Sequence, residues 1–108
     1  MTNKNNSRPA ATSRGWLLLA AGGVLSACVT APPVQEMSDA RQAISAAEQA
    51  DASRLAPEPL GDARRFLAEA ERQIQQQSYG PARMNAVRAK NRAAQALASS
   101  QSSDNGRN

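Results

Sequence analysis

From residue 36 to residue 98 small and apolar side chains recur at three- and four-residue intervals, and proline or glycine interrupts the pattern twice. The first run sets Met37, Ala40, Ile44, Ala47 and then Leu55 on one face. It should end near Ala56, because Pro57 and Pro59 follow. The second sets Leu60, Ala63, Leu67, Ala70 and Ile74 in line, with Phe66 on the flank. Ser78-Tyr79-Gly80-Pro81 then breaks the helix, glycine suiting a C-terminal cap and proline a first helical turn. The third run, from about Pro81 to Ala98, carries Met84, Val87, Ala94 and Ala98 on the stripe expected to face inward. Ala82, Ala86, Ala89, Ala93 and Leu97 lie beside that stripe. Short connections favour antiparallel neighbours. The pattern predicts an all-α fold, a short antiparallel helical hairpin or a three-helix up-down-up bundle over 36–98. Residues 99–108, rich in Ser, Gln and Asn, read as a disordered tail.

The core is expected to be thin. Residues 36–98 include 17 alanines, and a methyl group buries little area compared with a leucine. A bundle built this way gains from self-association or from docking on a partner.

The N-terminal part follows a different pattern. Residues 1–14 are polar and cationic, and 15–27 form an uncharged, mostly apolar run that ends in Leu25-Ser26-Ala27-Cys28. That run is shorter than the roughly 20 residues needed to span a bilayer core. Its length and basic flank fit a secretory leader. The last four residues resemble the lipobox of bacterial lipoproteins, in which an aliphatic and two small residues precede the cysteine that takes the lipid. The resemblance implies that Leu25, Ser26 and Ala27 form the signal-peptidase recognition site and that the thiol of Cys28 receives a diacylglyceryl group, with the new N-terminus acylated as well. Stable anchoring takes two or more acyl chains. The domain reading is then signal peptide 1–27, lipidated cysteine and proline-containing tether 28–35, alanine-rich helical domain 36–98, and tail 99–108. Val29, where an inner-membrane sorting signal would have Asp, points to the outer membrane with the domain facing the periplasm.

Charge and composition remove several function classes. The whole chain has 13 Lys+Arg against 9 Asp+Glu. From Cys28 onward ten basic side chains face nine acidic ones, so the case for nucleic acid fails and none is expected as a partner. There is no histidine, and Cys28 is the only cysteine. A His/Cys metal site and thiolate–imidazole catalysis are therefore ruled out, and no cofactor is expected. Carboxylates occur in pairs, Glu48 with Asp51 and Glu69 with Glu71, but at helical spacing they read as a solvated face, and catalysis is not expected. Within the near-neutral exported part the charge is uneven: Arg83, Arg88, Lys90 and Arg92 share the third run without an acid. Arg88 and Arg92, four apart, fall on one face. They are candidate contacts for anionic headgroups or an acidic envelope partner, against the alternative of pairing within the bundle.

Ala40-Arg41-Gln42-Ala43-Ile44, Leu55-Ala56-Pro57, Ala63-Arg64-Arg65-Phe66-Leu67-Ala68-Glu69-Ala70 and Tyr79-Gly80-Pro81-Ala82-Arg83 together resemble the exported domain of unknown function 4398. Where many members have Tyr before the Ala-Pro pair, this chain has Leu55. The family brings no established activity. Many members precede an OmpA-like peptidoglycan-binding domain, and Asn85 with Arg92-Ala93 echoes the spacing of that domain's binding helix. The strand and aspartate loop that complete that site have no counterpart here, so direct peptidoglycan binding is not expected.

The sequence thus points to a non-catalytic envelope lipoprotein, attached to the membrane through lipid on Cys28, acting as a helical adaptor or structural module with an envelope protein or a second copy as partner. The alternative is a self-associating alanine-rich lipoprotein of the murein-lipoprotein type. Against one long coil stand Pro57, Pro59 and Gly80-Pro81, and Arg107-Asn108 lacks the terminal lysine those proteins use for covalent linkage.

Overall fold

The computed structural model describes residues 31–108, and these fold as an all-helical bundle. The leader, Leu25, Ser26, Ala27 and Cys28 lie outside the described residues. Three long helices run up, down and up, with a one-turn helix at the first corner: α1 (Val34–Gln49), α2 (Ala52–Leu55), α3 (Pro57–Gln75) and α4 (Tyr79–Asn105). The longest, α4, packs along both α3 and α1.

Helix α1 begins two residues earlier than the periodicity implied. Pro33 is itself buried, and its carbonyl accepts the Met37 N–H at 3.0 Å, opening the helical ladder. The expected face, Met37, Ala40, Ile44 and Ala47, is buried. The helix stops at Asp51, whose φ of 63° turns the chain while its N–H donates to the Glu48 carbonyl at 3.0 Å. Aspartate tolerates this left-handed conformation better than most residues. The first run is thus two helices. In the second of them Ala52 and neighbouring Ala56 are buried, while Leu55 is only half-buried. The alanines sit at the closest approach, where leucine has no room.

Pro57 occupies the first turn of α3, and the preceding Ala56, at φ −146° and ψ 58°, stands outside the helical region that a following proline disfavours. Leu60, Ala63 and Ala70 are buried, with Leu67 and Ile74 partly so, in the expected register. The helix closes with a Schellman motif: the Ser78 N–H donates to Gln73 O at 2.8 Å and the Gln77 N–H to Ile74 O at 2.9 Å. The left-handed residue is Gln77 (φ 61°), not Gly80, which lies inside α4. The glycine cap expected from the sequence is therefore corrected. Pro81 does sit in the first turn of α4, where its missing N–H costs nothing.

Two further corrections concern α4. Its buried residues are Ala82, Asn85, Ala86, Ala89, Ala93, Ala96 and Ser100, whereas Met84 is 57% and Val87 42% exposed and Ala94 and Ala98 are exposed as well. The stripe expected inside is outside, because the side with the smaller side chains permits the closer helix approach. And α4 does not end near Ala98 in a disordered tail. It continues to Asn105, with Ser100 buried and its hydroxyl donating to the Ala96 carbonyl at 2.8 Å. Ser100 extends the alanine stripe by one more turn, and with Gln101 and Asp104 it lies beside the corner made by Ala50, Asp51 and Leu55.

The core has two parts. Ile44, Ala47, Leu60, Ala63, Ala93 and Ala96 meet at the end near the first corner, and Met37, Ala70 and Ala86 meet at the other. Leu67 packs against both.

Candidate functional site

Acids of α1 and α3 occupy most of the bundle's cations. Arg83 of α4 donates to Glu36 of α1 at 2.9 Å, Arg64 of α3 to Glu48 at 3.1 Å, and Arg41 of α1 to Glu71 at 3.4 Å. Between residues three apart, Arg54 pairs with Asp51 at the corner, and Arg65 pairs with Asp62 and Arg72 with Glu69 within α3. The carboxylate pairs Glu48/Asp51 and Glu69/Glu71 are thus each engaged by arginine on the surface. The bond from Arg72 to Glu69, and secondarily their charge attraction, raises the guanidinium pKa further above its already high value, which leaves it a permanent cation. Among the described residues no three Cys, Asp or Glu side chains gather to hold a metal ion.

Arg88, like Lys90 and Arg107, stands outside these ion pairs. It has no acidic partner within ion-pair distance among the described residues; its Nη1 donates to Asn85 Oδ1 at 3.2 Å. Asn85 is buried at the α3–α4 contact and its Nδ2 donates to Gln73 Oε1 at 2.9 Å. Gln73 in turn donates to Glu69 Oε1 at 3.1 Å. A relay of amides therefore holds the Arg88 guanidinium from behind without neutralising it. The same relay gives Asn85 a structural role between helices, different from the ligand contact that the peptidoglycan-helix echo would require.

Arg92, one turn on, lies 4.0 Å from Asp62 Oδ2 and donates to Gln95 Oε1 at 3.0 Å. Arg88 and Arg92 line an open groove of about 290 Å³ with Asn91 and Gln95 of α4 and Phe66 of α3. The two arginines picked out in the sequence are thereby brought together. Phe66, whose place on the α3 flank was legible, joins them only through the α3–α4 packing, which no spacing reveals. The arrangement suits a carboxylate or phosphate presented beside an apolar group: planar guanidinium donors meet the anion, and the aromatic ring takes the apolar part. Lys90 points elsewhere on α4 and does not line the groove.

No helix among the described residues is long and apolar enough to cross a membrane. A family model described as a domain of unknown function (DUF4398) matches residues 35–106, about two thirds of the chain, and the chain belongs to that family. The match extends past Ala98 to residue 106, just beyond the end of α4 at Asn105, as the helical fold does. No curated protein and no solved structure matches the chain.

Proposed function

We propose that this DUF4398 chain is a non-catalytic lipoprotein of the bacterial envelope, held by lipid on Cys28 at the periplasmic face of the outer membrane, and that its bundle is an adaptor for an anionic partner. The attachment rests on Leu25-Ser26-Ala27-Cys28 behind a basic, then apolar, leader. The adaptor role rests on one observation: Arg88 is held by a part-buried amide relay through Asn85 yet has no acidic partner among the described residues, in a groove that Arg92 and Phe66 complete. A positioned, un-neutralised guanidinium beside an aromatic ring favours binding of an anion over mere solubility. The contact surface is small and the exported chain near neutral, so the lipid supplies most of the membrane affinity.

Two measurements test this. Cys28→Ala should abolish incorporation of labelled fatty acid; continued uptake would refute lipidation. Arg88→Gln/Arg92→Gln should weaken binding to anionic vesicles or an acidic envelope partner while the thermal midpoint stays put. A loss of stability instead would assign both arginines to internal pairing.

A second reading, a self-associating structural lipoprotein, is favoured by the outer face of α4, where Met84 and Val87 are exposed in line with Ala94 and Ala98.

A further inference from the structure

The outer stripe of α4 is regular. Met84, Val87, Asn91, Ala94, Ala98 and Gln101 are all exposed and recur at three- and four-residue steps, the spacing of a coiled-coil seam. At about 100° per residue this stripe lies roughly 150° around α4 from the buried alanines, so Met84, Val87, Ala94 and Ala98 face away from the bundle, while Asn91 borders the groove beside Phe66 and Gln101 the first corner.

We propose that this stripe is the interface with a second copy of the chain, the two α4 helices pairing antiparallel about an axis near residues 92 and 93. The proposal rests on the self-association reading and names its surface and its symmetry.

Side-chain size selects the direction. The large residues, Met84 and Val87, lie in the first half of the stripe, and the small Ala94 and Ala98 in the second. Antiparallel pairing sets Met84 against Gln101 of the second copy, Val87 against its Ala98 and Asn91 against its Ala94. The four inner layers then each set a larger side chain against an alanine, and the two end layers pair Met84 with Gln101. Parallel pairing would stack Val87 on Val87 but Ala94 on Ala94 and Ala98 on Ala98, so the helix spacing would have to change from layer to layer.

Charge selects the same direction. In a parallel pair, the residues flanking the seam would bring Arg83 against Arg88 of the second copy on both sides, a like-charge contact. In the antiparallel pair Arg88 flanks Gln95, and the Lys90 stem lies over Leu97, with its ammonium in water. Opposed helix dipoles favour this direction as well.

The test is thiol crosslinking of the full 108-residue chain in detergent, carrying Cys28→Ser so that introduced thiols stand alone. Mixing Met84→Cys chains with Gln101→Cys chains should give a mixed disulfide at least tenfold faster than Met84→Cys chains alone, since antiparallel pairing separates the two copies of residue 84 by about 26 Å along the axis. Val87→Asp should weaken association at least tenfold by sedimentation, with helical content unchanged because Val87 is outside the bundle. Faster linkage of Met84→Cys to itself would overturn the proposal while leaving self-association standing. A chain that is monomeric at every concentration would overturn both. Monomers whose attachment to anionic vesicles falls with Val87→Asp would also overturn the proposal, making the stripe a lipid contact. Label uptake at Cys28 is independent of all three outcomes.

Discussion

The two long faces of α4 carry similar patterns and opposite fates. Ala82, Ala86, Ala89, Ala93, Ala96 and Ser100 step by four and three along the inner face, and Met84, Val87, Asn91, Ala94 and Ala98 step by three and four along the outer one. By apolar volume the outer face is the better core. It is outside because α1 and α3 already bring Met37, Ile44, Leu60 and Leu67 to the axis, so the third helix must supply small residues for the three to close. Burial here is decided by how near the backbones come, and hydrophobicity of the individual side chain is secondary.

The comparison breaks most readily at paired positions. Ala89→Leu, at a fully buried site, should destabilise the bundle by about 3 kcal/mol through overpacking, whereas Ala94→Leu on the outer face should stay within about 0.5 kcal/mol. Urea unfolding followed by circular dichroism measures both. Equal effects would mean the faces are not distinct.

The two asparagines give a smaller contrast. Asn85→Ala strips Gln73 and Arg88 of their shared partner and should cost about 1–2 kcal/mol, against nearly nothing for Asn91→Ala. The same Asn85→Ala should also weaken the Arg88 contact with anions, since the guanidinium loses its support.

Smallest is a gain. Gln77 holds φ 61° at the α3–α4 turn, and Gln77→Gly should stabilise by about 1 kcal/mol with α4 still rotated the same way. A thermal midpoint that fell would show that the Gln77 side chain contributes something the turn geometry does not.

These positions also mark where the sequence was readable. Met37, Ala40, Ile44 and Ala47, and Leu60, Ala63 and Ala70, were assigned to the core on periodicity alone, because on α1 and α3 the larger apolar residues lie on or beside the same face as the buried alanines. Pro57 fixed the start of α3. On α4 the large and small apolar residues lie on opposite faces, so ranking by hydrophobicity gave the wrong rotation. The signal that remained was the unbroken four-three spacing from Ala82 to Ser100, which also carries α4 past Ala98 despite the polar composition there. The turns at Asp51 and Gln77 were hidden because neither is glycine. For the candidate site, the four-residue spacing of Arg88 and Arg92 placed them on one side of a helix, but Phe66 and the Asn85–Gln73 support depend on how α3 meets α4.

The alanine face has a consequence for temperature. The heat capacity of unfolding rises with the apolar area exposed, and ordinary domains gain about 12–15 cal/mol/K per residue. Among the described residues fourteen apolar side chains form the buried core, and eleven of them are alanines, so unfolding this bundle uncovers methyl groups where other domains uncover leucines and phenylalanines. Its stability curve is correspondingly shallow and broad. Its stability should change little between cold and physiological warmth, and its melting should spread over a wide interval.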